Sequence, residues 1–287
     1  MQEIKQILRS AKERLSAAGI NEIDAEHLFA YVVGLSRMEL HNPVKLDESL
    51  KSLGDFGIIE DTFAKLISRR VNHEPLQYLT GIAYFRHLEI EVGPGVLVPR
   101  PESELLVEAV LTHITNLSDR DGEVSVIDLG SGSGALALAI ATEAPKSRVI
   151  AVENSPEAIF WLKKNVAAIS ENVRIVESDV SDALPGVKCD IVIANPPYIP
   201  DAQPLPRDVA EHEPSVALYG GVTGMETPAL FIAAASRLLK SGGVLAIEHT
   251  EVQGDSIAAL LAKDFIDVSQ HKDLTNRPRW TSAVKAR

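Results

Sequence analysis

The chain has 287 residues, 45% hydrophobic and 24% charged, which excludes a disordered polymer and allows one large or two smaller domains with cores of their own. Its formal net charge of −12 argues against broad attraction to nucleic acid and favours a protein or small-molecule substrate. No apolar run is long enough to span a bilayer, and the N-terminus mixes charges at helical spacing where a secretory segment would be apolar, so a soluble cytoplasmic protein is expected. The single cysteine, Cys189, excludes an internal disulfide and a cysteine metal site, and in the run Cys189-Asp190-Ile191-Val192-Ile193 it reads as a buried thiol.

Taken in order, residues 1–74 carry helical periodicity, with Ile4, Ile7, Leu8 and Leu15 on one face and Ala25, Leu28, Phe29, Val32 and Val33 on another. Breaks at Gly19-Ile20-Asn21 and Asn42-Pro43 divide this stretch into a bundle of four or five helices. Over 75–101 the texture changes. Leu88, Ile90 and Val92 alternate with Glu89 and Glu91, and Gly93-Pro94-Gly95 precedes Val96-Leu97-Val98, so a β-hairpin linker is expected. A helix follows over 102–116 and opens a second domain, 102–287. Beyond it, apolar runs at 124–129, 149–153, 173–177, 189–194 and 243–248 read as strands, alternating with helices near 135–143, 156–168, 227–240 and 253–263, with final strands near 265–270 and 279–285. Continuous apolar strands separated by helices predict an α/β fold, a parallel sheet covered on both faces.

Directly after the first of these strands stands Asp128-Leu129-Gly130-Ser131-Gly132-Ser133-Gly134-Ala135, opening a helix. Glycines at alternate positions let the backbone turn tightly and approach a ligand, so Gly130, Ser131, Gly132, Ser133 and Gly134 are candidate cofactor contacts. Glu153, at the end of the next strand, is placed to accept hydrogen bonds from ribose hydroxyls, and Asp179 to approach an adenine. The same turn also satisfies the dinucleotide fingerprint, which leaves an NAD-dependent oxidoreductase open.

At the carboxyl end of the fourth strand comes Asn195-Pro196-Pro197-Tyr198. Two prolines fix two φ angles and supply carbonyls without N–H donors, giving a rigid, acceptor-rich loop. An NH2 group on a carbonyl or aromatic ring has two coplanar donors and a delocalised lone pair, so it must be oriented before it can attack. Asn195 Oδ1 can accept one N–H and the Pro196 carbonyl the other, aiming the nitrogen's π face at a sulfonium methyl, while Tyr198 can stack on the flat group. The reading is methyl transfer from S-adenosyl-L-methionine, leaving S-adenosyl-L-homocysteine, with Asn195, Pro196, Pro197 and Tyr198 as catalytic residues. No metal is expected, because sulfonium is already a good leaving group. This chemistry does not separate a glutamine amide from an exocyclic amine of a nucleic-acid base such as adenine N6 or guanine N2. A cofactor-binding adaptor without turnover is a third, non-enzymatic alternative.

Several segments together resemble the HemK/PrmC-type methyltransferases, which modify the side-chain nitrogen (N5) of the glutamine in the GGQ motif of peptide chain release factors. They are Glu74-Pro75-Leu76-Gln77-Tyr78-Leu79-Thr80-Gly81, Val98-Pro99-Arg100-Pro101-Glu102, the loop from Asp128 to Gly134, Asn195-Pro196-Pro197-Tyr198-Ile199, Glu211-His212-Glu213-Pro214, Gly220-Gly221 and Glu248-His249. The resemblance implies a helical N-terminal domain that recognises the release factor, a hairpin linker, and a class I methyltransferase domain with a Rossmann-like seven-stranded mixed sheet. It places cofactor contacts on Gly130 to Gly134, Glu153, Val180 and Asn195, and the substrate glutamine against Asn195 to Tyr198. The partner it implies is a release factor, with no direct nucleic-acid contact and a monomeric state expected. Glu153 stands where many relatives have Asp, Val180 where some have Trp, and Leu274-Thr275-Asn276-Arg277 lacks a glycine common there. His249 invites a role as general base, yet a lone strand-end histidine is more often structural.

Overall fold

The computed structural model describes residues 2–121 and 123–287, and of residues 118–121 the backbone alone. The residues up to Gly81, together with Leu205–His212, form one unit, and Ile82–Pro204 with Glu213–Arg287 form another. Among the described residues no helix is long and apolar enough to cross a membrane.

The first unit opens with α1 (Gln2–Ala17), α2 (Ile23–Val32), α3 (Pro43–Leu53), α4 (Phe56–Val71) and α5 (Leu76–Thr80). Both breaks seen in the sequence fall between helices. Asn42 Oδ1 accepts from the Val44 and Lys45 amides while Pro43 occupies the first turn, where a missing N–H leaves no bond unmade. Leu15, Leu28, Phe29, Phe63 and Ile67 close the core, and Phe29 meets Phe63 edge to face with ring centroids 5.2 Å apart. Arg70 on α4 donates to Asp24 on α2 at 2.8 Å and to the Glu74 carbonyl at 3.0 Å, so this largely buried ion pair is also hydrogen-bonded.

In the second unit a hairpin of β1 (Ile82–Phe85) and β2 (Leu88–Glu91) precedes α6 (Ser103–Asp121). Then come β3 (Ser125–Leu129), α7 (Ala135–Glu143), β4 (Arg148–Glu153), α8 (Pro156–Ile169), β5 (Val173–Glu177) and β6 (Cys189–Ala194). After the short α9 (Arg207–Ala210), which belongs to the first unit, follow α10 (Glu226–Leu238), β7 (Leu239–Glu248), α11 (Gly254–Leu261), β8 (Phe265–Lys272) and β9 (Pro278–Lys285). In the first unit His212 Nε2 donates to the Asn72 carbonyl at 3.1 Å.

Strands β3 to β9 make one seven-stranded sheet in the order β5-β4-β3-β6-β7-β9-β8. Strand β9 runs antiparallel to β7 and β8, and the other pairings are parallel, which is the mixed Rossmann-like sheet expected. Ile127, Leu129, Val192, Ala194, Leu245 and Ile247 pack against Phe231, Ile232, Ala235 and Leu238 of α10 and Ile257 and Leu261 of α11. Helix α7 is buried on every face from Ala135 to Ala141, which is why its sequence shows no polar stripe. Strand order reverses between β3 and β6, and such a switch point opens a crevice at the carboxyl ends of the strands.

The hairpin differs in detail from the sequence pattern. It turns at Arg86-His87, with Arg86 at φ +52°, and Val96-Leu97-Val98 forms no strand. Arg86 is held in that conformation from outside the turn: its amide donates to Glu104 Oε1 at 2.9 Å and its guanidinium pairs with Glu108 and Glu143. Gly93 and Gly95 serve packing. A Cβ on Gly93 would lie 2.4 Å from Trp161, and one on Gly95 2.6 Å from Glu157, both on α8.

Candidate active site

The loop after β3 is shaped by its glycines. Gly130, Gly132 and Gly134 all have positive φ, and at Gly134 (φ +87°) a Cβ would also sit 2.6 Å from Leu162. The Gly130 and Ser131 amides both donate to the Val152 carbonyl, at 2.9 and 3.0 Å, lashing the loop to the end of β4. Glu153, the last residue of β4, accepts from Gly132 N at 2.8 Å on Oε2 and from Asn154 N and Ser155 N at 2.9 Å each on Oε1. Its carboxylate thus fixes two backbone turns and keeps about one acceptor position for a ligand. Asp179 accepts from the Ser181 amide and hydroxyl and from Asn154 Nδ2, and these bonds, the Ser181 amide foremost, lower its pKa. Buried Asn165 binds the Glu91 backbone through both ends of its amide and donates to the Ser133 carbonyl, tying the hairpin to the loop.

Beneath the loop, Asp128 is wholly buried, and neither carboxyl oxygen has a hydrogen-bond partner among the described residues. Burial pushes its pKa up to about 7, helped by the charge of Glu153, while the Ser131 hydroxyl, which donates to the Asp128 carbonyl and not its carboxyl, and the Ala137 amide lie near enough to pull it down only slightly.

The other wall is built on β6. Ala194 pairs with Ile247 of β7, so Asn195 and Glu248 stand one residue beyond, side by side at the strand ends. Asn195 Nδ2 donates to Ser103 Oγ at 3.1 Å, and Ser103 Oγ donates to Glu248 Oε2 at 2.5 Å. Tyr198 donates its hydroxyl to Glu248 Oε1 at 3.1 Å. Burial pushes the Glu248 carboxyl above its ordinary range, while the Ser103 and Tyr198 hydroxyls and Arg279 favour its charged form and Glu102 opposes it. Burial, reinforced by that carboxylate, raises the Tyr198 phenol, so the hydroxyl keeps the proton it donates. Neither Asn195 Oδ1 nor the Pro196 carbonyl has a hydrogen-bond partner among the described residues. Two glycines let the following loop lie against this backbone: a Cβ on Gly220 would be 2.5 Å from the Pro197 oxygen, and one on Gly224 2.4 Å from the Tyr198 oxygen.

A cavity of about 510 Å³ joins the two walls. Gly130, Ser131, Gly132, Ser133, Glu153, Asp179, Val180, Asn195 and Pro197 all line it. Of the predicted residues, Gly134, Pro196 and Tyr198 do not: Gly134 caps α7, Pro196 is buried, and the Tyr198 hydroxyl is turned to Glu248. His249 stays outside as well. It is fully buried, its Nδ1 donates to the Thr250 carbonyl at 2.7 Å, and its Nε2 is therefore left to accept from Thr281 Oγ1 at 2.8 Å. Burial lowers its pKa.

The resemblance sets Pro99-Arg100-Pro101-Glu102 at the border of the same cleft, and Pro99 and Arg100 do line the cavity; Ser103, Glu213 and Glu248 were given no role from the sequence. Glu213 accepts from Val98 N at 3.1 Å and from Arg100 at 2.6 Å, which holds 98–100 at the cavity rim. The available signal was a carboxylate closing an otherwise apolar strand at Glu248.

Residues 6–81 match the model of the PrmC N-terminal domain, and residues 102–210 that of the methyltransferase small domain. A release factor glutamine methyltransferase of Streptomyces coelicolor is 37% identical, over 96% of this chain and 96% of its own. The chain belongs to the release factor glutamine methyltransferase family. Other members of that family from Bifidobacterium longum and Mycolicibacterium smegmatis are each 38% identical, over 98% and 99% of this chain and 99% of theirs. The family's sheet is shared more widely. A 16S rRNA N2 G1207 methyltransferase of T. thermophilus, solved with AdoMet and guanosine, aligns over 72% of this chain and 50% of its own, with TM-score 0.52 and 23% identity. A methyltransferase from Pyrococcus furiosus aligns over 70% of this chain and 91% of its own, with TM-score 0.52 and 20% identity. At that identity the likeness speaks for the class I methyltransferase fold.

Proposed function

We propose that this chain transfers a methyl group from S-adenosyl-L-methionine to the side-chain amide nitrogen (N5) of the glutamine in the GGQ motif of peptide chain release factors, acting in the cytoplasm and modulating translation termination. The relatives' shared name supports the substrate. The observation that carries the chemistry is Asn195: its Nδ2 is engaged by Ser103, its Oδ1 is not, and it lines the same cavity as the glycine loop.

The residues present fit the cofactor. A cavity of about 510 Å³ is in the range of small-molecule sites, and it is walled on one side by glycine-loop backbone and carboxylates. Gly130 to Gly134 give the turn, Glu153 offers its remaining acceptor position to a ribose hydroxyl, and Asp179 and Val180 flank the adenine. When bound, S-adenosylmethionine supplies a methyl on a sulfonium, whose departure as a neutral thioether is the driving force. Asn195, which lines the cavity, takes one amide N–H on its Oδ1, and the Pro196 carbonyl, without a hydrogen-bond partner among the described residues though outside the cavity lining, is the acceptor next to it in the chain for the other, so that together they set the nitrogen's face. Pro196 and Pro197 keep those acceptors from moving, and Tyr198 anchors the tetrapeptide's end. As the new C–N bond forms, the nitrogen loses one proton to solvent. Orientation of this kind can be worth roughly 7–11 kcal/mol. Residues 1–74 would read the release factor surface, 75–101 link, and 102–287 carry the chemistry, in a monomer with no direct nucleic-acid contact.

Incubation with methyl-labelled cofactor and, in parallel, whole release factor or nucleic acid tests the reading. Label should enter the release factor, and Asn195→Ala should lower kcat roughly 100- to 1,000-fold, by analogy with loss of one oxyanion-hole donor. Exclusive labelling of nucleic acid would refute it. A thermal shift with S-adenosylhomocysteine and none with NAD is expected.

A further inference from the structure

We propose that Ser103 and Glu248 are positioning residues that decide which end of the Asn195 amide faces the substrate. This rests on the reading of Asn195 as the amide acceptor. An asparagine side chain is nearly symmetric in shape, and turned over it would present NH2 to the incoming NH2, donor against donor. Something must select the productive rotamer.

The selection follows from counting protons. Glu248, whose charged form the Ser103 and Tyr198 hydroxyls and Arg279 favour against its burial, can as a carboxylate only accept, and Ser103 has one hydroxyl proton, which lies on the 2.5 Å bond to Glu248 Oε2. Toward Asn195 the serine oxygen therefore has only lone pairs to offer. Asn195 Nδ2 can meet them at 3.1 Å, whereas Oδ1 in that place would face an oxygen without a proton. The amide is thus set with its nitrogen inward and Oδ1 toward the cavity. Tyr198, donating to Glu248 Oε1 at 3.1 Å, fills the other carboxylate oxygen and fixes the acceptor itself. One carboxylate on β7 thereby holds both ends of Asn195-Pro196-Pro197-Tyr198, one through Ser103 and one directly. A glutamine at 248 would break the logic: its NH2 can donate to Ser103, which frees the hydroxyl to donate to Asn195 Oδ1 and favours the reversed amide.

The test compares Ser103→Ala, Ser103→Thr, Glu248→Gln, the double variant Ser103→Ala/Glu248→Gln, and Asn195→Ala, by steady-state methylation of whole release factor and by S-adenosylhomocysteine binding. Ser103→Ala and Glu248→Gln should each lower kcat roughly 10- to 100-fold, the scale of a hydrogen bond to a charged group, with S-adenosylhomocysteine affinity changed by less than about 3-fold. Ser103→Thr, which keeps the hydroxyl, should recover kcat to within about 5-fold of the parent. The double variant should be no slower than the worse single one, because both break one chain of bonds. Wild-type kcat in Ser103→Ala, equal losses in the alanine and threonine variants, or fully additive losses would overturn the inference. If Asn195→Ala is impaired while Ser103→Ala and Glu248→Gln are not, the inference alone fails. If Asn195→Ala turns over like wild type, the reading beneath it fails too.

Discussion

The loops after β3 and β6 face one cavity and are held in shape by opposite means. The first depends on side chains that are missing: positive φ at Gly130, Gly132 and Gly134, amides lashed to the Val152 carbonyl, and one carboxylate, Glu153, closing the turn from the adjacent strand. The second depends on side chains that are present and distant in sequence. Ser103 lies 92 residues from Asn195, and Glu248 lies 50 from Tyr198. A binding loop can be written locally because it offers backbone, whereas a loop that must aim one amide needs partners brought in by the fold.

Substitutions should separate the two. The largest effect is expected at Gly134. Alanine there takes on a left-handed backbone penalty of about 1–2 kcal/mol and overpacking against Leu162 of about 1–3 kcal/mol, so thermal unfolding should shift clearly downward and S-adenosylhomocysteine affinity should fall with it. Unchanged stability would show the loop to be tolerant and the contrast false.

Next comes Asp128. Burial holds its folded-state pKa near 7, above the unfolded value of about 3.9, so its contribution favours folding at acid pH and is lost as the pH rises through about 7. Asp128→Asn removes that loss, up to about 4 kcal/mol. Its melting temperature should exceed the parent's by a margin that grows from about pH 4 to about pH 7 and then levels off. A margin independent of pH would mean that Asp128 is charged throughout.

An effect on turnover as well as stability, since the added Cβ would meet backbone atoms of Pro197, Tyr198 and Gly224, is expected at Gly220. Alanine would press on the Pro197 oxygen and displace the acceptors, lowering kcat roughly 10- to 100-fold while S-adenosylhomocysteine still binds. Equal loss of binding would show that the two loops are not separable. The smallest belongs to Glu213→Gln, which weakens the hold on Val98 and Arg100. It should lower kcat/KM by about 3- to 10-fold, and an unchanged value would make that rim irrelevant.

The same contrast explains what could be read from the sequence. The inner strands β3, β4 and β6 and the end of β7 are apolar runs whose burial is written nearly residue by residue, and Gly130 to Gly134 and Asn195 to Tyr198 announce themselves because glycine and proline constrain the backbone wherever they stand. The hairpin's arms were less legible. Arg86-His87 has none of the usual turn residues and is held by Glu104, Glu108 and Glu143, whereas Gly93 and Gly95 look like a turn and instead make room for Trp161 and Glu157. That Leu205–His212 joins the helical unit has no local signature either. Ser103 and Glu248 were hidden for the same reason, since their meaning exists only once β6 and β7 pair and α6 is set beside them.

The central claim is that this cavity presents a fixed acceptor to a glutamine side-chain amide. It is tested most directly by tandem mass spectrometry of whole release factor after incubation with enzyme and S-adenosylmethionine. A single methyl on the side-chain nitrogen of the GGQ glutamine, formed roughly 100- to 1,000-fold more slowly with Asn195→Ala, is the predicted result. A methyl on any other residue, or the same product at the same rate from Asn195→Ala, would contradict it.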